Sequence, residues 1–288
     1  MTAIAVTIAG SDPSGGAGIQ ADLKTFSALN VYGASIITAL TAQNTHGVQG
    51  VHEIPPEFVE TQIESVFSDL AIGAVKIGMV GIAETAEMIA EGLDRYEQRN
   101  VVLDPVMVAT SGDQLIDDDA IEAVRDLLFP RAMLVTPNLA EAAYLLETRI
   151  AESDEEMADQ AEALFEFGPR AVLIKGGHMV GQEEAVDIFY DGEEPARLGA
   201  ELIATENTHG TGCTLSSAIA ASLAHGFNLP RSVAHAKSYI SEAIRHAEEI
   251  VVGSGHGPVH HFHAVWGYLP VLGVPASKTL DEDGDDPE

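Results

Sequence analysis

Short apolar or β-branched runs alternate along this chain with longer stretches in which apolar residues recur every three to four positions. AIAVTIA (3–9), ASIITAL (34–40), AVKIGM (74–79), VVLD (101–104), AMLVT (132–136), AVLIK (171–175) and VDIFY (186–190) predict strands. PEFVETQIESVFSDL (56–70) and AETAEMIAEGLDRYEQR (83–99) carry helical spacing between them. Such alternation predicts an α/β fold with a mainly parallel sheet covered on both faces. No internal repeat and no long Pro/Gly/Ser linker divides the chain. Residues 1–268 therefore read as one domain, and residues 269–288, ending DEDGDDPE, as an acidic disordered tail.

Ligands of such sheets collect at the carboxyl ends of the strands. Those ends are AGSDPSGGAG, AQNTHG, KIGM, LDPVMVATSG, VTPNLAE and IKGGH. All are rich in Gly, Asn, Asp, Thr or Lys, so one edge of the sheet is polar and suited to phosphate.

The segment NTHGTGCTLSSAIA (207–220) carries the most chemistry. Gly210 and Gly212 can take positive φ and let successive N–H groups converge. A helix expected from Thr214 to His225, closed by Gly226, points its positive end at that hollow. The reading is an anion hole; the plainer alternative is an ordinary capped helix start. Lys175, at a strand end before Gly176-Gly177, can reach phosphate oxygens or simply lie on the surface. Asp104 before Pro105, and Asn138 with Glu141 after VTP, can hold Mg²⁺ through water, although Asn138 suits helix capping equally well. No Walker loop occurs. Gly16, Gly18 and Ala21 match a dinucleotide fingerprint only in part, without the strand context or the distal acid it needs. His260, His261 and His263 have no ligand partners of metal-site spacing and read as packing residues.

Composition adds the environment. Hydrophobic residues make up 46% of the 288, ample for a large core. The 45 acidic against 14 basic residues give a net charge of −31, which repels nucleic acid and anionic membranes and suggests a high-salt cytoplasm. No apolar run approaches the roughly 20 residues of a membrane span, and MTAIAVTIAGSDP lacks the basic start of a secretory signal. The single cysteine, Cys213, excludes an internal disulfide framework and fits a reducing compartment. Only five lysines remain (Lys24, Lys76, Lys175, Lys237 and Lys278), and each is expected where an ammonium has a task.

TIAGSDPSGGAGIQADLKTFSALNVYG, ITALTAQNTHGVQGV, VKIGMVG, VVLDPVMVATSGD, TPNLAEAAYLL, VLIKGGH, NTHGTGCTLSSAIAA and GPVHHFHAVW occur in that order from about residue 3 to 267. Together they resemble the hydroxymethylpyrimidine/phosphomethylpyrimidine kinases of thiamine biosynthesis, members of the ribokinase-like superfamily. The resemblance implies a three-layer α/β/α sandwich, a homodimer, and transfer of the ATP γ-phosphate to a hydroxymethylpyrimidine and then to its monophosphate, with Mg²⁺ as cofactor. It implies that Gln43 reads the pyrimidine edge and that Gly10, Asp22, Met79 and Val106 line the acceptor pocket. It matches Lys175 to a phosphate lysine, Asn138 and Glu141 to a motif linked to Mg²⁺ and phosphate, and Thr208, Gly210, Thr211 and Gly212 to the anion hole. Cys213 stands where most of the superfamily has an aspartate base. A thiol at a helix N-terminus is expected to have a lowered pKa, which makes a thiolate base one reading and a small space-filling residue the other. Thr110 replaces a lysine common in the family, and no appended C-terminal domain is expected. Pyridoxal kinase activity is the nearest alternative function.

Overall fold

The computed structural model describes residues 2–107, 116–177 and 184–266; Thr110, Lys278 and the acidic tail lie outside these. In chain order the elements are β1 (Ile4–Ser11), α1 (Gly18–Ala28), β2 (Tyr32–Asn44), β3 (Gly47–Glu53), α2 (Pro56–Phe67), β4 (Ala74–Ile77), α3 (Ala83–Arg95), β5 (Val101–Leu103) and α4 (Asp118–Ala123). They continue as β6 (Leu134–Val135), α5 (Leu139–Leu145), α6 (Asp154–Phe165), β7 (Val172–Lys175), β8 (Glu184–Tyr190), β9 (Ala196–Glu201), α7 (Thr211–Ala224), α8 (Leu229–Arg245) and α9 (His263–Trp266).

The sheet runs β3-β2-β1-β4-β5-β6-β7-β8-β9. Strands β2, β1, β4, β5, β6 and β7 pair in parallel, while β3, β8 and β9 join antiparallel at the edges. Helices α1, α7 and α8 cover one face around Phe26, Leu215, Ile219 and Val233; α2 to α6 cover the other around Ile63, Ile89, Ile121 and Leu164. The result is the three-layer sandwich expected. The two edge strands β3 and β9 were not anticipated, because both are largely solvent-exposed and carry no apolar run.

The period-2 alternation of strands decides what the sheet offers α7. Val6, Ile8, Val75, Ile77, Leu103, Val135 and Ile174 all face the α2–α6 layer. The intervening positions near the carboxyl ends, Thr7, Lys76, Asp104, Thr136 and Lys175, therefore face α7 and its neighbours. Five strands thus contribute one polar row directly beneath the start of α7.

Candidate active site

Helix α7 begins at Thr211, three residues before the expected Thr214, so Cys213 is its third residue rather than the residue preceding it. Gly210 is the N-cap at φ 78°, and a β-carbon there would stand 1.8 Å from the carbonyl oxygen of Gly16. Only glycine meets both demands. The Thr211 hydroxyl turns back to Thr208 O at 2.7 Å, which shapes the loop. Among the described residues, the N–H groups of Gly212 and Cys213 meet no acceptor, so two orphan donors of the first turn point outward with the helix dipole.

Beside this turn lies a buried charge cluster. Lys175 Nζ lies 2.6 Å from Asp104 Oδ1 and 3.9 Å from Glu141 Oε2. Thr136 Oγ1 donates to the same Asp104 oxygen at 3.1 Å, and Ser216 Oγ approaches the other at 3.4 Å. A β-carbon on Gly212 would stand 3.1 Å from Lys175 Nζ, so the α7 backbone rests against the pair. Burial alone raises the Asp104 carboxyl, but Lys175 and Lys76 together hold it below its ordinary value. Burial pushes Glu141 up to about 7, with Asp104 adding to the shift and Lys175 opposing it. Burial lowers the Lys175 ammonium less than Asp104 and Glu141 raise it.

Asn138 and Glu141 form a capping box at the start of α5: Asn138 Oδ1 accepts from Glu141 N at 2.9 Å, and Glu141 Oε2 accepts from Asn138 N at 2.7 Å. The capping alternative is therefore realised for both residues, and it leaves Glu141 aimed toward Lys175. Thr208 is part-buried beside Gly210, and its hydroxyl meets no partner among the described residues.

The residues expected to line an acceptor pocket lie across the sheet edge. Gly10 and Met79 touch, since a β-carbon on Gly10 would stand 2.8 Å from Met79 Cε. Met79 O accepts from Thr38 at 2.8 Å. Gln43, at the end of β2, is part-exposed and accepts from Thr41 Oγ1 at 3.1 Å. Val106 follows Asp104 in a tight turn, its N–H 2.8 Å from Asp104 O. Asp22 is wholly buried and fully engaged: Oδ2 accepts from Thr7 at 2.6 Å and Lys76 at 3.0 Å, and Oδ1 from Ser217 at 2.6 Å. It supports the site from below.

Two findings correct or extend the sequence reading. Cys213 does not have a lowered pKa: burial pushes the part-buried thiol up to about 11, although Lys76 and the Gly18 N–H pull it back. The second is Asp12, which sequence reasoning passed over. Its carboxylate accepts from Ser14, Gly16, Ala17 and His209 Nε2, the last at 2.8 Å, and so ties the β1 loop to the α7 loop. Burial opposes ionisation there, but the His209 and Ser14 contacts hold the Asp12 carboxyl far below the usual range. The glycines of the failed dinucleotide fingerprint serve this junction: a β-carbon on Gly16 would strike His209. The four described lysines all have partners, namely Gly15 O, Asp22, Asp104 with Glu141, and Asp187 for Lys24, Lys76, Lys175 and Lys237. His261, expected as a packing residue, is buried against Thr214 at 3.1 Å.

The family model for phosphomethylpyrimidine kinase matches residues 12–260, which include this site apart from Thr7, Gly10 and His261. The chain belongs to the phosphomethylpyrimidine kinase family. It is 59% identical over 266 residues to the hydroxymethylpyrimidine/phosphomethylpyrimidine kinase of Rhizobium meliloti (strain 1021), covering 92% of this chain and 99% of the relative. A solved phosphomethylpyrimidine kinase from Clostridium difficile 630 shares 43% identity at a TM-score of 0.74, over 84% of this chain and 99% of that one. The ADP complex of Bacillus subtilis pyridoxal kinase shares 35% identity at a TM-score of 0.84, over 92% and 99%. The fold of this family member is ribokinase-like, and the chain is a kinase.

Proposed function

We propose that the protein transfers the γ-phosphate of ATP to the hydroxymethyl group of 4-amino-5-hydroxymethyl-2-methylpyrimidine, and then phosphorylates the monophosphate, supplying thiamine biosynthesis. The observation that carries this is the packing of Gly212 against the Lys175–Asp104 pair, with two N–H donors beside it that meet no acceptor among the described residues. Phosphoryl transfer asks chiefly for positioning and charge neutralisation, and these groups supply both. Gly210, Thr211, Gly212 and Thr208 form the anion hole, and Lys175 neutralises the transferred phosphate. Gln43 reads the aminopyrimidine edge, since an amide both donates and accepts. Gly10, Met79 and Val106 wall the acceptor, and Asp22 braces the wall. With its thiol protonated at neutral pH, Cys213 gives room and a weak donor beside the acceptor.

Mg²⁺ fits the donor set. Glu141 is an oxygen-only ligand whose carboxyl accepts from the Asn138 and Met107 N–H groups, and Asp104 lies close behind, but its Oδ1 is committed to Lys175 and Thr136. Glu141 is the better holder, through water, because this ion keeps several waters and takes few carboxylates. When bound, the ion neutralises phosphate charge.

The native state is read as a cytoplasmic homodimer, and the net charge of −31 as adaptation to molar salt. Among the described residues no helix is long and apolar enough to cross a membrane. The test is one assay: purified protein in molar KCl with ATP, Mg²⁺ and the pyrimidine alcohol, following mono- and diphosphate by mass. No ATP-dependent product would overturn the reading. The alternative, activity on pyridoxal, is measured by kcat/KM on the two alcohols.

A further inference from the structure

Among the described lysines, Lys76 alone is wholly buried: its Nζ lies 3.0 Å from Asp22 Oδ2, and both side chains are 0% exposed. Burying both ions costs several kcal/mol that an apolar pair of like volume would not, so packing gives no reason for the pair. Its position gives one. Lys76 sits in the middle of β4 and turns away from the core formed by Val75 and Ile77, toward α1 and α7. Its stem then runs along the strand to the carboxyl edge, because a β-carbon on Gly78 would stand 2.7 Å from Nζ. Gly78 leaves the space that the ammonium fills, and the next residue is Met79, which packs on Gly10. The charge therefore ends directly under the acceptor wall.

The pair is also tied to α7. Asp22 Oδ1 accepts from Ser217 at 2.6 Å, and Ser217 lies one turn beyond Cys213 on the same helix face. On the neighbouring face Ser216, one turn beyond Gly212, lies 3.0 Å from Gly212 O and 3.4 Å from Asp104 of the Lys175 pair. Ser217 thus ties the Cys213 turn to the buried Lys76–Asp22 pair. Cys213 responds to both members of its pair, and Lys76 draws the thiol down more than Asp22 raises it.

We infer that Lys76 is a positioning residue for the phosphoryl transfer: through Asp22 and Ser217 it fixes the Cys213 turn, and its charge makes an electropositive floor under the acceptor hydroxyl. This rests on the kinase function proposed above. A fixed cation there favours the negative charge that the hydroxyl gains as it bonds to phosphorus and gives up its proton.

Cys213 is the only cysteine of the chain, so its alkylation by iodoacetamide reports on this point without any assay of activity. In Lys76→Met, at one fixed pH in molar KCl, alkylation is expected to slow about tenfold, the effect of one pKa unit. kcat is expected to fall about 100-fold, with KM for the pyrimidine alcohol changed little. A merely structural lysine gives the opposite sign: loosened packing exposes the thiol and speeds alkylation, which overturns the inference. The double variant Asp22→Asn/Lys76→Met removes the stranded carboxylate and protects folding. Slow alkylation and low kcat should persist in it; full recovery of kcat would mean that Lys76 only neutralises Asp22. If wild-type protein makes no product from the pyrimidine alcohol, the proposed function fails, and the alkylation result still stands by itself.

Discussion

Lys175 reaches from the end of β7 to Asp104 at the end of β5, Nζ to Oδ1 2.6 Å, and this bond closes the sheet edge beneath α7. Every group proposed to handle phosphate is arranged around it. The α7 backbone approaches the pair at Gly212, where a β-carbon would stand 3.1 Å from Nζ.

That spacing separates two glycines of one loop. Gly212→Ala leaves the fold intact, since only a flexible ammonium must give way, yet it displaces Lys175 by a few tenths of an ångström. A kcat loss of about 10- to 100-fold is expected, as for other small misplacements of a reacting group. Gly210→Ala fails differently. It strikes the Gly16 carbonyl and forces left-handed φ on alanine, so it should cost more than the ~1–3 kcal/mol of backbone strain alone. Urea melts and steady-state kinetics on both variants separate the cases; equal stability for the two would contradict the packing described.

Glu141→Gln distinguishes a cap from a metal holder. Glutamine still accepts from Asn138 N, so the capping box and its stability survive. The carboxyl is raised to about 7 in the folded chain against about 4.3 in an unfolded one. Its contribution to stability is therefore complete below about pH 4 and is lost as pH rises through 7. The variant should flatten that part of the stability–pH curve and be at least as stable as wild type at pH 8. If Glu141 holds Mg²⁺ through water, the Mg²⁺ concentration for half-maximal rate also rises, by roughly tenfold. An unchanged Mg²⁺ requirement would leave Glu141 as a cap alone.

The central strands and the polar edge were legible in the sequence because buried parallel strands read as unbroken apolar runs, and their ends as clusters of Gly, Asp, Asn and Lys. Strands β3 and β9 were not, since an exposed edge leaves no apolar signal. The same limit hid Asp12 and Ser217. Their roles lie in partners 197 and 195 residues away, and a local pattern holds no trace of such pairing. Lys76 was marked only by the rarity of its type. The expected low pKa of Cys213 failed because helix position is a local property, whereas desolvation depends on the neighbours that tertiary packing brings.

The raised thiol fixes what Cys213→Ala should do. A group near 11 is protonated at pH 7, so it cannot be the resting base, and kcat is expected to stay within about tenfold of wild type. A loss of 100-fold or more would instead establish proton transfer through the sulfur. Stability offers an independent check. The folded value lies above the ordinary ~8.5, so the thiol's contribution is complete below about pH 8 and lost as pH climbs toward 11. Cys213→Ala should remove that part of the alkaline decline, and a pH series of thermal melts reads it directly.

Salt dependence follows from how the surface spends its few cations. Arg95 bridges Glu60 and Glu64, Arg197 bridges Asp154 and Glu184, and Arg245 bridges Glu201 and Glu242. Each of these arginines thus answers two carboxylates, and the 45 acids of the chain still outnumber its 14 basic residues by 31. Exposed pairs of this kind contribute only about 0–1 kcal/mol each, so they cannot offset repulsion from a net charge of −31. Salt can. Raising KCl from about 0.1 to 1 M shortens the screening length from roughly 10 to 3 Å, below most separations between surface charges. The urea midpoint should therefore rise steadily across a KCl series and level off near molar salt. The buried Lys175–Asp104 and Lys76–Asp22 pairs are screened far less, so the gain should persist in Gly212→Ala. A midpoint that is flat from low to molar KCl would mean the acidic surface has no bearing on the stability of the fold.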